Sequence, residues 1–136
     1  MNAKTLVNGL LAGVLTFLLG WLIFGLLFMD YYSQHMMQYA GLMKNPPEFV
    51  YIFIGTLAYG ILLSYVFTMG NVASASKGAM AGLVIGILAQ INFDTIIFAE
   101  FNLMGRGLMA LDICLNAIVS SVVGAFLGWW MGRKSV

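Results

Sequence analysis

The sequence predicts an all-α membrane protein, an antiparallel four-helix transmembrane bundle, and three observations carry that assignment. Of its 136 residues, 62% are hydrophobic and 8% charged, whereas a soluble domain is about a quarter charged. Four apolar stretches, 6–28, 49–69, 78–98 and 108–131, each have about the 20 residues a helix needs to cross a hydrocarbon core. Every backbone polar group in lipid must find an internal partner, so runs of this length and uniformity form helices rather than open-edged strands. Together the four spans use nearly the whole chain, so residues 1–136 read as a single four-span domain.

The first span reads as a retained helix rather than a cleaved signal, because its apolar core is long and the bulky Met29-Asp30-Tyr31-Tyr32 follows it. Between Asp30 and Lys44, Tyr32, Met36, Tyr39, Ala40 and Met43 recur at helical spacing, which predicts a short segment lying on the outer membrane surface. Asn45-Pro46-Pro47-Glu48 predicts the start of the second span, with Asn45 as cap and the prolines in the first turn. Gly70-Asn71 ends it, and Ser74 or Ser76 caps the third. The single Cys114 can form no intrachain disulfide. Lys4, Lys77, Arg133 and Lys134 fall on the side of both termini, against Lys44 and Arg106 on the other. That bias places both termini in the cytoplasm, with a bacterial inner membrane as the expected location.

Small residues set the packing. Gly78, Gly82 and Gly86 recur every fourth residue at the start of the third span, and Gly124, Gly128 and Gly132 at the end of the fourth. Such stripes let two backbones approach closely, which substitutes for the hydrophobic effect that lipid removes. Setting Gly78 level with Gly132 puts Gly82 against Gly128 and Gly86 against Gly124. Outward from there Gln90 is level with Ser120, Asp94 with Asn116, and Phe98 with Asp112. Gly9 and Gly13 of the first span lie at the glycine depth as well.

All five carboxylates fall in the other half of the membrane, so the chain reads as small and tight at one end, polar and ionisable at the other. Asp112, Asn116 and Ser120 share a face of the fourth helix, and Gln90 and Asp94 share one of the third. Ionisable groups within a membrane cost several kcal/mol and face a bundle interior, a partner or water, which makes them candidates for function. The expected ligand- or ion-binding set is Asp94 and Asp112 for a cation or proton, Gln90 and Asn116 to orient it, and Arg106 as counter-charge. Glu100 in the outer loop and His35 in the first loop complete it. The plainer reading has Asp94 and Asp112 held by Arg106 or by helix-to-helix hydrogen bonds, with the interhelical space closed by Phe93, Phe98 and Phe101. No catalytic set, metal site or cofactor is expected. A single His cannot ligate haem from both sides, no zinc-binding spacing occurs, and the scattered basic residues do not suit nucleic acid.

Leu19-Gly20-Trp21-Leu22-Ile23-Phe24-Gly25, the glycine-rich third helix, and the fourth helix from Leu111-Asp112 to Gly128-Trp129 resemble a broad group of small bacterial four-helix membrane proteins. That group is known only as a domain of unknown function. The resemblance spans most of the chain and implies a four-helix membrane fold without supplying catalytic residues. The aromatic-Ser-Pro turn after the first helix of that group is replaced here by Met29-Asp30-Tyr31-Tyr32.

The expected function is therefore binding or transport of a small molecule or cation through an outward-facing polar pocket, with proton coupling. The alternative is an accessory or scaffold subunit whose polar residues hold helices or a membrane partner, including a second copy of the chain. A membrane enzyme using the carboxylates as acid and base comes third.

Overall fold

A computed structural model describes residues 2–133. Five α-helices follow in order: α1 (Ala3–Leu22), α2 (Met29–His35), α3 (Phe49–Met69), α4 (Ala75–Glu100) and α5 (Arg106–Arg133), with a π-helical turn at Ile23–Leu27 between the first two. Four helical segments are long and apolar enough to cross a membrane: α1 with its π-turn, α3, α4 and α5. The fold is the all-α membrane bundle the composition requires.

Two close helix pairs make up the bundle. α4 runs along α5, α1 runs along α3, and the pairs meet chiefly where α1 touches α5. Both pairs are built on glycine. A methyl group added at Gly82 would overlap the Ser120 carbonyl oxygen, one at Gly78 the Gly124 carbonyl, and one at Gly128 the Ser74 carbonyl. In the other pair a methyl at Gly60 would collide with backbone atoms of Gly9 and Gly13. Only residues without a side chain allow these approaches, and the close approach supplies the dispersion contacts that hold apolar helices together in lipid.

The register between α4 and α5 differs from the level-glycine expectation. Gly82 lies between Ser120 and Gly124 rather than against Gly128, and Gly86 meets Ser120 and Ala117. Gly132 faces Ala73, ahead of α4. Gly78, Gly82, Gly124, Gly128 and Gly132 each seat on a partner carbonyl, Gly86 seats on the Ser120 side chain, and Ser120 extends the small stripe of α5 by one turn. Sliding α5 this way carries Asp112 from the level of Phe98 to about the level of Asn92, within reach of the Gln90 side chain.

The core lies in the half of the bundle that holds the termini, where Ala12, Leu63, Phe67, Val119, Val123 and Leu127 are buried together. This half is not solely apolar. Thr5, Asn8 and Ser64 are buried there, with Ser64 Oγ donating to the Thr5 carbonyl at 2.8 Å and Trp130 Nε1 donating to Asn8 Oδ1 at 3.2 Å. Asn2 caps α1 through Thr5 N, and Ser74 caps α4 through Lys77 N. The tight end is thus tied by neutral hydrogen bonds as well as glycine contacts.

At the opposite end, of the surface segment expected between Asp30 and Lys44 only the part up to His35 is helical. Met36 turns extended, and Met37 N donates to the Leu103 carbonyl at 2.8 Å, so the strand-like stretch after α2 pairs with the α4–α5 loop. Gly41, with φ at 77°, and Pro46-Pro47 prevent the helix from resuming. Asn45 does not cap α3. The helix starts after Glu48, with the prolines outside it, and Glu48 pairs with Lys44.

Candidate functional site

Each end of the α4–α5 hairpin contributes a carboxylate six residues inside its helix, Asp94 before Glu100 and Asp112 after Arg106. Both therefore sit about 9 Å along the axis from the loop that joins the helices. Gln90, one turn below Asp94, reaches across the seam. Its Nε2 donates to Asp94 Oδ1 at 2.9 Å and to Asp112 Oδ2 at 2.6 Å. Asn116, one turn below Asp112, donates to Asp112 Oδ2 at 3.1 Å and to the Asp112 carbonyl at 3.0 Å. The sequence-predicted quartet is one hydrogen-bonded cluster.

A fifth member was not anticipated. The Tyr32 hydroxyl of α2 donates to Asp112 Oδ1. Tyr32 is carried there by the π-turn, which re-aims the chain after α1, and by an edge-to-face contact with Phe24 at 5.6 Å. A π-turn is a costly insertion and recurs at sites where one side chain must be placed. Burial pushes the Tyr32 phenol well above its ordinary value, and the Asp112 hydrogen bond and the charges of Asp112 and Asp94 push it further. It stays an O–H donor throughout the physiological range. Sequence spacing gave Tyr32 an interfacial role only, because the signal that matters is the break in helix geometry before it.

The remaining candidates lie elsewhere. Arg106, at the exposed first residue of α5, makes no ion pair with either carboxylate, and among the described residues the one ion pair is Lys44–Glu48. The expected counter-charge is thus missing from the cluster, because Arg106 is the exposed first residue of α5 while Asp112 is nearly two turns further along it. Glu100 is exposed at the end of α4. His35 is exposed, stacked on Tyr31 at 3.9 Å and donating from Nδ1 to the Tyr31 carbonyl. Neither joins the site.

The cluster is unevenly satisfied. Asp112 receives three side-chain donors, Tyr32, Gln90 and Asn116. Asp94 receives one, although it is only 1% exposed, and its Oδ2 is buried without a partner. Among the described residues no group of three His, Cys, Asp or Glu side chains could hold a metal ion.

Below the cluster a cleft opens between the two helix pairs. It consists of adjoining cavities of about 360 Å³ and about 200 Å³ that share Thr16, Thr56, Asn116 and Val119. The larger is walled by aromatic side chains, among them Phe17, Trp21, Phe24 and Phe49. The smaller reaches Gln90, Tyr59 and Ser120. Tyr59 and Ser120 hydrogen-bond each other at 2.8 Å across the bundle. Closure by Phe93, Phe98 and Phe101 does not occur: Phe93 and Phe101 are exposed, and none of the three lines the cleft.

No protein-family model, curated protein or solved structure matches this chain.

Proposed function

We propose that the chain is an integral membrane protein that binds a proton or an alkali cation at the Asp94–Asp112 pair, in support of small-molecule binding or transport through the adjoining cleft. The observation that carries this reading is the buried, unpartnered Oδ2 of Asp94 beside a second carboxylate, with no cationic side chain among the described residues in ion-pair contact. Two negative charges bridged by one neutral amide in a low-dielectric setting repel strongly, and burying an uncompensated charge costs several kcal/mol. One positive charge resolves both problems, and a proton placed on Asp94 Oδ2 also gives that atom a role as donor.

Infrared difference spectroscopy tests the assignment. At neutral pH the detergent-solubilised protein is expected to show the C=O stretch of a protonated carboxyl that is absent from Asp94→Asn, with circular dichroism unchanged. If that band is missing, thermal stability should instead rise with sodium or potassium at constant ionic strength and lose this dependence in Asp94→Asn. Absence of both signatures would overturn the reading. The cluster also ties α2, α4 and α5 together, which favours a scaffold role as the second reading; unfolding of Asp94→Asn would support that alternative.

The membrane orientation belongs to the same proposal. Lys4, Lys77 and Arg133 lie at one end of the bundle, and Lys44 and Arg106 at the other; Lys134 lies outside the described residues. Both termini are assigned to the cytoplasmic side of a bacterial inner membrane on this asymmetry. With Cys114 replaced by serine, cysteines introduced at Lys44 and at Ser74 should label from opposite faces, the former from outside. Labelling of both from one face would refute the four-span arrangement.

A further inference from the structure

We infer that the cleft between the two helix pairs binds a lipophilic ammonium ion, its N–H groups on Gln90 and Asn116 and its apolar body among Phe17, Trp21 and Phe24. The inference deepens the reading of the Asp94–Asp112 pair and rests on it for the negative charge.

The polar end of the cleft presents acceptors. Gln90 and Asn116 spend their amide nitrogens on the carboxylates behind them. That fixes each amide with its remaining polar atom, the carbonyl oxygen, unused. Among the described residues Asp94 Oδ2 is the single buried side-chain atom without a hydrogen-bond partner. Gln90 Oε1 and Asn116 Oδ1 are therefore reachable, and the space both residues line is the cleft. On the facing helices the Thr16 hydroxyl donates to the Ala12 carbonyl at 2.9 Å, and the Thr56 hydroxyl to the Phe53 carbonyl at 2.9 Å. Their hydrogens are committed to their own helices, and their oxygens are left to accept. Four acceptor oxygens from four helices thus surround the same end of the cleft, backed by two carboxylates. An anion would be repelled there, and a neutral alcohol would leave the charge unused. The cavity volumes suit a molecule of a few rings.

Binding of 4-phenylbutylammonium to the purified protein in phosphatidylcholine nanodiscs tests this, followed by tryptophan fluorescence, to which Trp21 of the cleft contributes, and by calorimetry. Two ligands with the same body serve as comparison, 4-phenylbutanol and (4-phenylbutyl)trimethylammonium, which lack the charge and the N–H donors respectively. The ammonium ion is expected to saturate one site per chain and to bind at least about ten-fold more tightly than either, the scale of one hydrogen bond to a charged group. Thr16→Val and Thr56→Val, which are nearly isosteric and away from the carboxylates, should each weaken it several-fold; Asn116→Leu should weaken it about ten-fold. Equal affinity for the three ligands, or no effect of any of these variants, would overturn the inference. The infrared band of Asp94 is read separately. A band that persists while ammonium selectivity is absent sinks this inference alone. Selective binding with neither carboxyl band nor alkali-cation effect sinks the assignment of the carboxylate pair and, with it, the charge argument made here.

Discussion

Gly82→Leu is expected to separate α4 from α5 and destabilise the detergent-solubilised protein by about 3 kcal/mol or more, at or beyond the upper end of the usual cost of overpacking. Even a single methyl at Gly82 would overlap the Ser120 carbonyl. That neighbour is backbone, fixed in its own helix by hydrogen bonds, and it cannot rotate away as a flexible side chain would. The helices would have to move apart, and the Gly78–Gly124 and Gly86–Ser120 contacts would be lost with the first. In lipid no hydrophobic effect compensates for a wider gap. Gly60→Leu should do the same to α1 and α3. Gly20→Leu and Gly55→Leu are the controls, because nothing lies within 4 Å of a methyl at either position. Equal thermal midpoints for Gly82→Leu and Gly20→Leu, measured by circular dichroism, would show that the seam carries no stability.

This contrast marks what sequence periodicity could and could not show. The spans follow from hydropathy because lipid leaves the backbone one choice over so long an apolar run. The small stripes were visible in α4 and α5, but a stripe gives a face and not a register. Gly82 level with Gly128 was one alignment; the structure prefers Gly82 between Ser120 and Gly124, because serine is small enough to continue the groove. Gly60 escaped notice since no glycine stands four residues from it; its stripe on α3 is completed by Thr56 and Ser64, a weaker pattern than a glycine repeat. Its importance is set by Gly9 and Gly13 across the interface, which is tertiary information.

The site was legible to the same depth. Polar residues four apart on two neighbouring antiparallel helices had to share a region, and Gln90, Asp94, Asp112 and Asn116 do. Arg106 was given the role of counter-charge on proximity in sequence, but its position at the first residue of α5 keeps it at the surface. Tyr32 was out of reach of any pattern, since its approach to Asp112 depends on the π-turn at Ile23–Leu27 and on the pairing of Met37 with Leu103. Both are backbone arrangements that side-chain spacing does not encode. Burial of Thr5, Asn8 and Ser64 near the termini was hidden for a related reason, as neutral residues close to a helix end look the same whether they face water or another helix.

The two carboxylates should differ sharply when each is neutralised, and the difference separates a loaded site from a merely structural cluster. Asp112 accepts from Tyr32, Gln90 and Asn116, so Asp112→Asn replaces one acceptor oxygen with a donor nitrogen that faces other donors. Either Gln90 and Asn116 lose their shared acceptor, or the Tyr32 hydroxyl turns to accept from the amide and its proton loses the charged acceptor, at about 2–4 kcal/mol. Asp94 accepts only from Gln90, and its second oxygen has no partner. Asp94→Asn keeps the accepting oxygen and removes a negative charge from the side of Asp112, so its cost should stay within about 1 kcal/mol and stabilisation would be no surprise. If Asp112 is the anion that the donors hold and Asp94 the group that takes up a positive charge, Asp112→Asn unfolds first under heat or urea while Asp94→Asn folds normally and loses the charge-linked signal. A symmetric pair with equal penalties would mean that the donors redistribute freely between the carboxylates. The positive charge would then belong to both, and the assignment of Asp94 as its seat would be wrong.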